Sequence, residues 1–104
     1  MTTKLTPIHP GEILREEFMS PLGISSNALA RAVGVTPARI NDIVRERRGI
    51  TADTALRLAR YFNTDVQSWV NLQANYDIER ARNSAGEEIA LIQPWQEIRQ
   101  EAHT

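Results

Sequence analysis

No stretch of this chain limits its fold more than Ser25 to Arg48, SSNALARAVGVTPARINDIVRERR. Ser25 is suited to cap a first helix, whose apolar residues Leu29, Ala32 and Val33 recur about one turn apart. Ala30 is small where a second helix has to cross closely. Gly34 stands where the chain leaves the first helix, a place that favours positive φ and no Cβ. Thr36 and Pro37 restart the chain as N-cap and first helical residue, where the missing proline N–H costs nothing. Ile40, Ile43 and Val44 then face inward at i, i+3 and i+4. With Ala30 four residues before Gly34 and Ile40 six after it, the spacing predicts a helix-turn-helix.

The flanking segments read as support for that pair. Residues 1–8 are polar and carry Pro7, an arm without regular structure. His9-Pro10-Gly11-Glu12 opens a helix with Ile13, Leu14, Phe18 and Met19 inward and Arg15, Glu16 and Glu17 in water; Pro21 and Gly23 end it. No H-E-x-x-H spacing and no second histidine nearby accompany His9, so it reads as a capping or surface residue rather than a metal ligand. After the second helix, Gly49 suits a C-terminal cap or a tight loop. Thr51 caps a helix with Ala55, Leu58, Ala59 and Phe62 on one face, and Asn63 stops it.

Thr64-Asp65-Val66-Gln67 has the form of a capping box, opening a fifth helix that runs to about Arg82 with Val66, Trp69, Val70 and Tyr76 inward and Trp69 in the core. Ser84-Ala85-Gly86 breaks the pattern, which divides the chain into a domain over 1–83 and a tail over 84–104. In the tail, Ile89 to Ile92 has β potential, Pro94 stops it, and Trp95 and Ile98 lie one turn apart on a short helix. Its apolar residues fold back on the domain, pair across a dimer or dock on a partner.

Composition narrows the class. At 104 residues the chain is one small domain, and without cysteine it has neither a disulfide framework nor a cysteine-based zinc site. No apolar run reaches the roughly 18 residues of a membrane span, and MTTKLTPIHP lacks the apolar core of a signal peptide, so a cytoplasmic location is expected. The net charge of −1 speaks against a nucleic-acid binder, but its distribution does not. From Ser25 to Arg60, seven arginines against Asp42, Glu46 and Asp53 leave +4, and the remainder carries −5. Such asymmetry is expected where one face meets phosphates and another meets a basic partner.

The residues left outside the helix pair are of the kinds that read or grip DNA. On the second helix, Asn41 suits bidentate pairing with adenine, Ala38 a thymine methyl, and Arg39 and Arg45 guanine or phosphate. Asp42 suits either cytosine N4 or a salt bridge to Arg39 or Arg45. Ser25, Ser26 and Asn27 at one helix start, Arg47 and Arg48 in the loop, and Thr51 at a third helix start suit phosphate, and Thr36 and Pro37, which open the second helix, stand with them as DNA-binding candidates. Asp53 suits the helix end at Thr51 but repels a phosphate there if it points outward. No nucleophile motif, paired metal-ligand spacing or glycine-rich phosphate loop points to catalysis, and no cofactor is implied.

HPGEILREEF, then LGISSNALARAVGVTPARINDIVRERRGITADTALRLARYF, then WVNLQANYD together resemble the HigA/VapI antitoxins, small members of the Cro/C1-type helix-turn-helix group, over about residues 6 to 83. The resemblance implies an all-α, five-helix, lambda-repressor-like DNA-binding domain with a short C-terminal tail. It further implies a homodimer on a palindromic operator of its own operon and neutralisation of a cognate RelE-type RNA-cleaving toxin, with no role carried over to the tail. A stand-alone repressor without a toxin partner fits the same domain.

Overall fold

Both demands of the central stretch are met locally: Gly34 takes up φ 76°, and Pro37 opens the next helix behind Thr36, whose Oγ1 accepts from the Arg39 N–H at 3.2 Å. The computed structural model describes residues 6–96 and is all-helical, with five helices and no strand among those residues. Helix α1 runs through Pro10–Ile13, a π-helical stretch Leu14–Met19 and Ser20–Leu22 without a break. Helices α2 (Ser26–Val33) and α3 (Pro37–Val44) form the helix-turn-helix, followed by α4 (Ala52–Phe62) and α5 (Val66–Ala90).

The core comes from the expected stripes. Leu14, Leu29, Ile40, Ile43 and Leu58 are fully buried, and Trp69 joins them, ringed by Phe18 and Phe62. Its indole N–H donates to Thr64 Oγ1 at 2.8 Å, so the one polar atom of the ring is satisfied. Ala32, expected inward, is exposed, while Ala30, expected at the close crossing, is buried. Arg15, expected in water, is half-buried on the C-terminal end of α3, where it donates to the Val44 carbonyl.

Several boundaries differ from expectation for identifiable reasons. Pro21 does not end α1. The Ser20 N–H bonds the Arg15 carbonyl five residues back, and this widened turn precedes the proline, whose ring otherwise collides with a carbonyl four residues back. Gly23, at φ 65°, is the real stop, with the Ile24 N–H closing on the Met19 carbonyl. After α3 the left-handed residue is Glu46, φ 62°, rather than Gly49; the Arg47 and Glu46 N–H groups return to the Asp42 and Ile43 carbonyls. Gly49 is instead pressed by the Gln73 side chain, which accepts from the Ile50 N–H at 2.7 Å. The cap of α5 is Asp65, accepting from the Ser68 N–H, because Thr64 is engaged with Trp69.

The largest departure is at Ser84-Ala85-Gly86, where α5 passes straight through to Ala90, so the Ile89–Ile92 run is not a strand. A helix already nucleated upstream adds residues at little cost, and one glycine subtracts only about 1 kcal/mol. Within the described residues the apolar end of α5 does not fold back: Ile89, Leu91, Ile92 and Trp95 are 52%, 82%, 69% and 65% exposed. Ile98, His103 and the first five residues lie outside the described part.

Candidate nucleic-acid interface

The outer face of α3 meets the start of α4, where Arg39 reaches Asp53 at 3.0 Å, and the starts of α2 and α3 carry capping residues of their own. Ser25 caps α2, its Oγ accepting from the Ala28 N–H at 3.1 Å, and Ser26 and Asn27 follow in the first turn. Thr36 and Pro37 start α3, and Thr51 starts α4 by accepting from the Thr54 N–H at 3.3 Å. These caps hold N–H groups that no helical carbonyl reaches, at ends with partial positive charge. The inner face of α3 is spent on the core through Ile40 and Ile43, which leaves Ala38, Arg39, Asn41, Asp42 and Arg45 outward, wholly or half exposed. Arg47 and Arg48 are exposed in the loop after α3, and Arg48 lines the space beside Arg39.

The structure redistributes the charge pairs. Asp42 meets Arg48 at 3.4 Å, so neither Arg39 nor Arg45 is its salt-bridge partner. Arg39 reaches α4: its Nη1 donates to Asp53 Oδ2 at 3.0 Å, and Arg57 Nε donates to the same oxygen at 3.0 Å. The Arg57 hydrogen bond above all, with that of Arg39, holds the Asp53 carboxyl below the ordinary range. A shallow cavity of about 270 Å³ between α3, the loop and the start of α4 is lined by Arg39, Arg48, Gly49, Thr51, Asp53 and Thr54.

Arg57 carries a function beyond its charge. Its Nη1 donates to the Val33 carbonyl at 2.8 Å and the Gly34 carbonyl at 3.3 Å, fastening α4 to the turn between α2 and α3. The i,i+4 spacing from Asp53 is visible in sequence, whereas the bonds to the turn span more than twenty residues and leave no local signal. On the other flank, the N-cap of α1 is His9, buried, with Nδ1 accepting from the Gly11 N–H at 2.8 Å and its ring edge-on to Tyr76 at 4.7 Å. The capping role read for His9 is the one it plays. Gly11 rests against the end of α3, where a Cβ would come within 1.8 Å of the Ile43 carbonyl oxygen.

A short second helix buried on one face, aimed outward on the other and preceded by a glycine turn is the construction of a helix-turn-helix DNA-binding protein. The family described as Helix-turn-helix (HTH_3) matches residues 14–69. Virulence-associated protein I of Dichelobacter nodosus is 57% identical over 91 residues, covering 88% of this chain and 83% of that protein. Antitoxin HigA-1 of Vibrio cholerae is 35% identical over 92 residues, covering 88% and 87%. The structure of Pseudomonas aeruginosa antitoxin HigA with the higBA promoter superposes with a TM-score of 0.83 at 53% identity, covering 86% of this chain and 99% of that one. The chain therefore belongs to the HigA/VapI antitoxins of the helix-turn-helix family. That family consists of DNA-binding antitoxins and transcription regulators rather than a class of enzymes, and no helix among the described residues is long and apolar enough to cross a membrane.

Proposed function

We propose that this chain is the antitoxin of a type II toxin–antitoxin pair, acting in the cytoplasm as a homodimer that binds a palindromic operator and represses its own operon. The observation that carries the reading is the outward face of α3, whose inner residues Ile40 and Ile43 are buried and whose Arg39 stands beside Arg48 and the capped start of α4. The promoter-bound Pseudomonas aeruginosa relative, alike over nearly its whole length, supports it. In this reading α3 enters the major groove. Asn41 pairs with adenine, Ala38 touches a thymine methyl, and Arg39 and Arg45 meet guanine or phosphate.

Ser25, Ser26, Asn27, Arg47, Arg48 and Thr51 grip the phosphates and set the register without reading sequence, while Thr36 and Pro37 open the helix that meets the DNA. Asp42, tied to Arg48, steadies that grip more readily than it reads cytosine. Two copies span half-sites about 34–36 Å apart, and the tail 84–104, with Ile89, Leu91, Ile92 and Trp95 exposed, supplies a contact with the second copy or with the toxin. The partner is a small RelE-like (HigB-type) RNA-cleaving toxin whose basic surface meets the acidic remainder of the chain.

Pull-down with the tagged chain, followed by titration of the recovered complex against the DNA upstream of its gene, tests the reading. Recovery of a small basic protein, in a complex that binds that DNA, is expected. DNA binding with no protein partner makes the chain a stand-alone repressor instead.

A further inference from the structure

Asp53 is an acidic side chain where phosphate contacts are expected, and electrostatics alone would disfavour it there. Its geometry gives a reason for its presence. A single oxygen, Oδ2, accepts from Arg39 on α3 and from Arg57 on α4, both at 3.0 Å, and Arg57 in turn holds the Val33 and Gly34 carbonyls of the turn. Arg39 is thereby the outer end of a chain of contacts whose inner end is backbone. A long guanidinium side chain otherwise spreads over many rotamers, and ordering it on binding costs affinity. Held by one edge, Arg39 keeps most of its five N–H donors for another acceptor.

We infer that Asp53 is a specificity-determining positioning residue: it presents Arg39 to a base edge, exchanging some general attraction for DNA for discrimination between sequences. The inference rests on the DNA-binding reading above and deepens it. Two opposed effects separate it from a plain charge effect. Removing the carboxylate takes away a repulsion and favours all duplexes alike. Removing the tether releases Arg39, and only the duplex whose base Arg39 reads is penalised.

The test is a fluorescence-anisotropy titration of the full chain against the duplex upstream of its own gene and a scrambled duplex of equal length. Wild type, Asp53→Asn, Arg39→Ala and the double variant are compared at one salt concentration. Asp53→Asn is expected to lower the ratio of specific to scrambled affinity about tenfold, within the range of one base contact, while affinity for the scrambled duplex holds or rises. In the Arg39→Ala background the same change is expected to move the ratio less than about twofold, since the coupling is then absent. Equal strengthening of both duplexes, or the same fall in ratio in both backgrounds, overturns the inference and leaves Asp53 a surface charge or a structural one. A wild-type chain that does not discriminate overturns the DNA-binding reading, and the inference falls with it.

Discussion

His9 shows what one side chain contributes. Its Nδ1 accepts a hydrogen bond, so the capping ring is neutral there, and burial pushes its pKa below the ordinary 6.5; Glu46 and Asp77 pull it up, Arg15 and Arg80 down. The unfolded chain then takes up this proton at higher pH than the folded one. The stability His9 lends is complete above about pH 6.5 and is lost as the pH falls below it. Thermal melts at about pH 7.5 and 5.5 are expected to show a fall in Tm that His9→Asn, still a capping residue but not a titrating one, reduces. Asp53, held low by its arginines, titrates well below that window. On the opposite flank, Asn41→Ala is expected to cost roughly 1–3 kcal/mol of operator binding with relaxed preference at one base pair. Arg48→Ala weakens all duplexes alike and lowers the salt slope by about one unit. Binding titrations on single-base operator variants across salt concentrations check the pair.

Where helices meet, two substitutions of opposite sign test the seam between α1 and α3. Gly11→Ala drives a Cβ into the Ile43 carbonyl, backbone that no rotamer change moves aside, and is expected to cost about 3 kcal/mol. Glu46→Gly relieves a left-handed glutamate and gives up a 3.6 Å contact between partly exposed Glu46 and Arg15 side chains together with the pull of Glu46 on His9, so a gain of about 0.5–1 kcal/mol is expected near neutral pH, where His9 is uncharged. Urea unfolding of both variants measures these. The same seam marks the limit of what sequence reveals. Caps at Ser25, Thr36 and Thr51, and the stop at Gly34, were legible because their partners lie within one turn. The close approach at Gly11, the π turn that accommodates Pro21 and the clasp of Arg57 on Val33 depend on residues distant in the chain or on a register no propensity encodes.

For the molecule as a whole, core and projection part company. The buried apolar cluster runs from Leu14 to Trp69, whereas the second half of α5 carries much of its apolar surface in the open and extends a body measuring 64 × 28 × 21 Å. The outward residues of α3 were legible because helical periodicity sorts inside from outside; their pairing, Arg39 with Asp53 and Asp42 with Arg48, was not, because α4 and the loop choose those partners. Nor was the length of α5, since Ser84-Ala85-Gly86 resembles a break and differs from one only in the helix already formed before it. Deleting residues 84–104 removes none of the described core residues, and thermal melting of the dilute chain is expected within about 4 °C of wild type, the shift from roughly 1 kcal/mol in a domain of this size. Operator binding responds differently. If the exposed apolar end of α5 joins two copies, the truncated chain sediments as a monomer, and its affinity falls towards that for a single half-site, since one copy buries too little surface for tight, specific binding. A truncated chain that still sediments as a dimer and keeps the operator affinity of the full-length protein places the dimer contact elsewhere.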